Sequence, residues 1–252
     1  MILDVALVVL FYMTIIFILA LMRKDYYIVD VAWGVGFNII ADYSLIQSNE
    51  IDLRKMIVNL LVLIWGLRLS THIRFRNQGK GEDFRYKAWR DTWKFFVIRS
   101  FFQIFMLQGF FMLLISSPVW FINFSKGGLL TLWDSLGLVI FGAGFMIETI
   151  ADYQLAAFKK DTANTGKIMT TGLWSVTRHP NYFGEALVWW GIASYALSIP
   201  HGWYTLISPV IITLLLRFVS GVPMLEKRFE GCPGWYEYKG KTAAFVPFVK
   251  FL

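Results

Sequence analysis

Seven apolar runs follow one another along the chain, each of a length that suits a helix crossing a bilayer. They cover residues 2–22, 28–47, 55–75, 97–121, 130–155, 182–199 and 203–222. A helix needs roughly 20 residues to cross about 30 Å of hydrocarbon, so the pattern predicts an all-α, polytopic integral membrane protein with seven transmembrane helices. The second and third runs are less apolar than the others, as expected of helices that line an interior. The segment "SIPHGW" between the last two runs is short enough to make them a tight hairpin. No internal repeat is visible, and no intervening segment is long enough for an independent soluble domain. Residues 1–252 therefore read as a single membrane domain, with loops at 74–96 and 156–181 and a tail at 223–252. The first run lacks a basic n-region and a small-residue cleavage site, so it is expected to be a span rather than a signal peptide.

Composition agrees with this reading. The chain is 57% hydrophobic and 16% charged, and its mean hydropathy is +0.55; a soluble domain is nearer half apolar and a quarter charged. Eleven Trp and eleven Tyr are available for interfacial belts. The single cysteine, Cys232, excludes an intrachain disulfide and supplies no metal cluster.

The net charge of +7 changes the picture through its distribution. Loops that would share one side of the membrane hold 18 Lys or Arg, seven of them between Arg74 and Lys94. The alternate loops hold Arg54, Lys55 and Lys126. Such a split places the N-terminus outside and the C-terminus in the cytoplasm, with the basic loops facing anionic lipid rather than nucleic acid.

Ionisable groups inside spans are costly and usually face a partner or a cavity. Asp30 and Asn38 fall on one face of the second helix. Arg68 and His72 are four apart on the third, and Arg99 and Gln103 on the fourth. Glu148, Asp152 and Lys159 share a face of the fifth, Asn181 and Glu185 a face of the sixth, and Arg217 lies near the end of the seventh. Some have ordinary explanations. Arg99 and Arg217 can snorkel to the interface, Asp30 can complement a helix N-terminus, and His201 reads as a surface residue. Taken together, they describe an apolar bundle with one polar, basic end. That suits a ligand with an anionic head, held by Arg and Lys, and a substrate that arrives from lipid.

The same residues lie in longer blocks. "GLWSVTRHPNYFGE" and the upstream "ADYQLAAFKKDTANTGKIMTTG", with "DVAWGVGF", "WGLRLSTHIRFRNQGKGEDFRYKAWR" and "LEKRFEGCPGWYEYKGKTAAFVPF", resemble the DUF1295 proteins of the steroid 5-alpha reductase-like superfamily. The resemblance covers nearly the whole chain. It implies a seven-helix reductase that holds NADPH in its cytoplasmic half and passes hydride to a conjugated carbon–carbon double bond of a lipid or steroid-like substrate. Asn181, Gly184 and Glu185 match the family's Asn-x-x-Gly-Glu motif, expected beside the nicotinamide. Asp152 is expected near the adenosine, and Arg217 at the phosphates. Lys159 stands where the family has an Arg. Arg68, Asn164, Arg178, His179, Tyr182, Tyr236 and Tyr238 complete the implied cofactor set, Arg178 and His179 being placed to meet its phosphates; no metal is implied. On the substrate side, the eukaryotic enzymes use a Glu of helix two and a Tyr of helix three. Here the matching acid is Asp30, and helix three has no Tyr, so His72 or a loop Tyr such as Tyr86 would replace it.

Two other classes share features with the chain. "RHPNYFG" followed by Glu226, Tyr236 and Tyr238 also resembles isoprenylcysteine and phospholipid methyltransferases that use S-adenosylmethionine. The Glu185 extension and the "WGLRL…GEDFRY" block favour the reductase. A non-catalytic lipid-binding protein would leave the intramembrane Arg and Glu without a role.

Overall fold

The computed structural model describes residues 1–79 and 83–249. Lys80 and Lys250, counted among the basic loop residues, lie outside the described residues. Among those described, the protein is all helical; the only β feature is an isolated bridge between Thr177 and Ala243. Six helical stretches are long and apolar enough to cross a membrane: Ile2–Arg23, Ile28–Ile46, Leu53–Asn77, Phe96–Ile115, Leu132–Lys160 and Gly202–Phe229. The architecture is that of a polytopic membrane protein. The run expected at 182–199 forms a helix at Pro180–Ala196, but its 17 residues lie at the lower limit for a span.

The chain divides into two compact units, Met1–Leu130 with Tyr195–Thr205, and Thr131–Ser194 with Leu206–Leu252. The first holds α1 (Ile2–Arg23), α2 (Ile28–Ile46), α3 (Leu53–Asn77) and the short α4 (Phe84–Thr92). The fourth predicted span is not one regular helix. It comprises α5 (Phe96–Ser100), a π-helical turn over Phe101–Met106, α6 (Leu107–Ile115) and α7 (Ser117–Phe124), with Pro118 in the first turn of α7. Proline forces such a break because it has no N–H for the preceding turn. Helix α2 packs along α3, with α1 and α7 against its other faces. Asn59 of α3 donates to Asn123 Oδ1 of α7 at 2.8 Å, and Asn123 donates to Ser44 Oγ of α2 at 2.8 Å. These bonds supply cross-helix polar contacts where water is absent.

Arg54 and Lys55 are not loop residues. Asp52 caps α3 by accepting from the Lys55 N–H at 2.9 Å, which draws both into the first helical turn. The Lys55 ammonium donates to Ser48 Oγ and the Glu50 carbonyl, each at 2.8 Å, and Arg54 donates to the Leu129 carbonyl at 2.6 Å. Both side chains are buried.

The second unit holds α8 (Leu132–Lys160), α9 (Pro180–Ala196), α10 (Ile207–Leu214), α11 (Val222–Phe229) and α12 (Trp235–Lys241). Helix α8 starts from a Thr131–Asp134 capping box and runs five residues beyond the predicted end, because no breaker occurs before Asp161. A π-helical turn at Leu215–Val219 carries Arg217. Helices α8 and α9 meet backbone to backbone. A Cβ on Gly184 would lie 2.6 Å from the Glu148 N and 2.7 Å from the Gly144 O, and one on Gly144 would lie 2.7 Å from the Gly184 O. Small residues permit this approach in membrane bundles. It sets the polar face of α8 directly against the start of α9. The Trp190 indole donates to Thr213 Oγ1 at 3.3 Å, which joins α9 to α10.

Candidate functional site

The second unit brings together the two polar faces expected from spacing. Asn181 Nδ2 of α9 donates to Asp152 Oδ1 of α8 at 3.2 Å. Glu185, one turn further along α9, is buried, as are Glu148 and Asp152. The Asn181 Oδ1 atom is buried with no hydrogen-bond partner among the described residues. A buried amide oxygen in that state is costly and suits an incoming N–H donor.

The chain reaches α9 through a rigid turn. Gly172 has φ +63 and lies against the Gln154 side chain, which accepts from the Leu173 N–H at 3.0 Å. A residue with a Cβ is disfavoured at that φ. The Trp174 indole donates to the Ala151 carbonyl at 3.1 Å. Pro180 then opens α9, where its missing N–H costs little.

Beside this turn lies a cavity of about 330 Å³, within the size range of cofactor sites. Five aromatic side chains, Phe158, Trp174, Phe229, Trp235 and Tyr238, line it beside the aliphatic Leu155, Ile168, Met169 and Leu225. Lys159, Lys167, Arg178 and Arg228 contribute charge, and none of the lining residues is an Asp or Glu. His179 also lines it. Its ring is 2% exposed and stacks on Tyr182, with centroids 5.6 Å apart at 9°. Burial pushes the His179 pKa below its ordinary value, against the pull of Glu226, so the ring is neutral at neutral pH.

Arg178 is engaged differently from the phosphate contact expected of it. Its Nε and Nη2 bind Glu226 Oε1 at 2.8 and 2.7 Å, and its Nη1 donates to the carbonyls of Lys239, at 3.0 Å, and Thr242. His179 Nε2 and Lys239 Nζ lie 3.4 Å from the same carboxylate. The Arg178 N–H also donates to the Ala243 carbonyl, and Thr177 Oγ1 to the Phe245 carbonyl. Arg178 therefore fastens the C-terminal segment over one wall of the cavity. Tyr238 extends that wall and donates its hydroxyl proton to the Trp174 carbonyl. Burial raises its pKa.

The remaining candidates scatter. Tyr236 is 72% exposed and does not line the cavity. The Asn164 amide donates to the Phe158 carbonyl at 3.0 Å, closing the end of α8. Arg217 is half-buried on its π-helical turn, with its guanidinium 4.9 Å from the Phe218 ring. Glu226, Trp235 and Arg228 were not expected in this role. The first was visible in the sequence only as part of the methyltransferase-like pattern.

In the first unit, Asp30 accepts from the Tyr86 hydroxyl at 2.8 Å and from Arg85 Nη2. Arg85 Nε also binds Asp83 at 2.9 Å. Tyr86 is 1% exposed, and burial together with the Asp30 charge pushes its pKa well above the ordinary phenol value. The hydroxyl is thus protonated and its proton is directed at Asp30. The loop Tyr weighed from the sequence does meet the helix-two acid; its neighbour Arg85 was overlooked. Arg68 and His72 are half-buried on α3.

Comparison with known proteins gives a family and little else. The chain is 26% identical to an uncharacterized protein of Schizosaccharomyces pombe, over 62% of this chain and 49% of that one. It is 44% identical over 46 residues to the probable O-methyltransferase ustE of Ustilaginoidea virens, 18% of this chain and 16% of that one. The chain thus spans about half, or less, of these relatives' own length. No solved structure matches it. A family profile described as "Protein of unknown function (DUF1295)" matches residues 16–242. The chain belongs to the DUF1295 family, the steroid 5-alpha reductase-like family that its sequence blocks resemble.

Proposed function

We propose that this protein is an NADPH-dependent membrane reductase that saturates a conjugated carbon–carbon double bond of a lipid or steroid-like substrate. The observation that carries the reading is the cavity of the second unit, lined among the described residues by five aromatic side chains and by Lys159, Lys167 and Arg228, with no acid in the lining and with Arg178 already paired to Glu226. An aromatic base and phosphates match that chemistry. The unpartnered Asn181 Oδ1, with Glu185 one turn away, matches the N–H donors of a carboxamide. When bound, the dinucleotide supplies the hydride. Lys159, Lys167 and Arg228 would hold its phosphates, and Asn181 and Glu185, which follow the lining residues Arg178 and His179 into α9 but do not themselves line the cavity, would orient its ring. Reduction also needs a proton at the second carbon. The source of that proton is an acid on the substrate side of the double bond.

A methyltransferase is the second reading, favoured by the 46-residue match to an O-methyltransferase. S-adenosylmethionine has a sulfonium and one carboxylate, which fits Lys159, Lys167 and Arg228 less well than a pyrophosphate does. The assay that tests the reductase reading follows loss of reduced-nicotinamide absorbance by the purified protein with an enone lipid. Turnover is expected with NADPH. Methyl transfer without any nicotinamide oxidation would overturn the assignment.

The finer topology belongs with this proposal. Seven spans, counting α9, with the N-terminus outside and the C-terminus in the cytoplasm, put the basic loops on the cytoplasmic side. A reporter fused to the C-terminus is expected to be cytoplasmic; a reporter active outside would refute this orientation.

A further inference from the structure

We propose that Arg90, Lys94 and Arg99, mounted on the aromatic cluster that joins α4 to α5, form a binding site for the phosphate of an anionic phospholipid. The placement follows from the flanking helices. Helix α3 ends at Asn77 and the next membrane-length stretch begins at Phe96. The nine-residue α4 lies between two span ends and is itself too short to cross. It is held in place from inside, because Arg85 and Tyr86 both bind Asp30 of α2.

The outer side of this segment has a defined chemistry. Trp89 and Trp93 stack at 5.2 Å and 16°, and Trp93 lies 6.2 Å from Phe96. The Arg99 guanidinium sits 4.7 Å from the Trp93 ring centroid, and that of Arg90 sits 5.6 Å from both the Tyr26 and Phe96 centroids. A guanidinium near a ring gains cation–π stabilisation and keeps the planar fork that matches a phosphate. Arg90, Lys94 and Arg99 are exposed. Among the described residues, Lys94 and Arg99 have no carboxylate partner. Asp91 is the only acid between residues 84 and 99.

The source of the phosphate is a lipid because the apolar surface continues beside the cations. Phe95 is 79% exposed, and Ile98 and Phe102 are each 61% exposed. Those side chains meet acyl chains while the arginines meet the headgroup. Tryptophans at this level act as interfacial anchors.

The test is native mass spectrometry of the detergent-purified full chain, titrated with phosphatidylglycerol and, separately, phosphatidylcholine. The expected result is at least tenfold tighter binding of phosphatidylglycerol. In R90Q/R99Q the two lipids should bind within twofold of each other. In K227Q/K241Q, which removes the same charge elsewhere, the tenfold preference should persist. Arg99→Lys, which keeps the charge and the fold but not the fork, should lose at least threefold of the preference. The proposal is overturned if Arg99→Lys and R90Q/R99Q retain the full preference, or if K227Q/K241Q loses as much as R90Q/R99Q.

Discussion

An Arg178→Ala protein is expected to be less stable than the wild type by about 3–5 kcal/mol, the usual consequence of removing one partner of a buried ion pair. Arg178 is 8% exposed and Glu226 is 9% exposed. Alanine leaves the Glu226 carboxylate buried, with the neutral His179 and the partly exposed Lys239 as its remaining neighbours. It also removes the donor shared by the Lys239 and Thr242 carbonyls, and the guanidinium 5.8 Å from the Trp235 ring. Thermal unfolding in detergent measures the effect. Adding Glu226→Gln to Arg178→Ala should recover part of the loss, because the stranded charge is then gone. An unchanged midpoint in Arg178→Ala would mean that the tail is held without the Arg178 side chain, by its backbone bridge and the Thr177 and Tyr238 hydroxyls.

The second large effect is on catalysis. Glu185→Gln retains size and one acceptor oxygen but loses the charge and the other acceptor. If Glu185 orients the nicotinamide, single-turnover hydride transfer to an accepted enone lipid should slow by about 10- to 150-fold, the equivalent of losing a charged hydrogen bond of about 1.5–3 kcal/mol. NADPH affinity should change little, because the phosphate contacts proposed for Lys159, Lys167 and Arg228 would remain. Unaltered hydride transfer in a folded Glu185→Gln protein would remove Glu185 from the mechanism.

Much of this site could be read from spacing. Glu148 and Asp152 are four apart, as are Asn181 and Glu185, so helical periodicity alone put each pair on one face. Gly184 in the same motif is the residue that lets the two faces meet. The partner of Arg178 was hidden because it lies 48 residues away, across a tail whose path no local pattern encodes. The phosphate role expected for Arg178 came from its charge; a guanidinium buried by its own tail is indistinguishable from one that awaits a ligand until the tail is placed. Asp30 and Tyr86 are separated by 56 residues, and only the lack of a Tyr on α3 directed attention to the loop. Hydropathy located the six membrane-length helical stretches and α9, but missed their interruptions and the short α4, α11 and α12. The π-helical turns at Phe101–Met106 and Leu215–Val219 preserve an apolar run while shifting the face it presents, so composition carries no trace of them. Arg54 and Lys55 were counted as loop charges because their ladder of carbonyl partners depends on the Asp52 cap.

The central claim is that the aromatic, cation-lined cavity holds NADPH. The measurement that addresses it most directly is thermal unfolding of the detergent-purified protein with NADPH, NADH and S-adenosylmethionine in parallel. A ligand that binds only the native state stabilises it by about 2.7 kcal/mol at a hundred times its Kd. The account predicts a clear rise in midpoint with NADPH, at least tenfold weaker binding of NADH, equivalent to about 1.4 kcal/mol, and no rise with S-adenosylmethionine. A rise with S-adenosylmethionine and none with NADPH would contradict it.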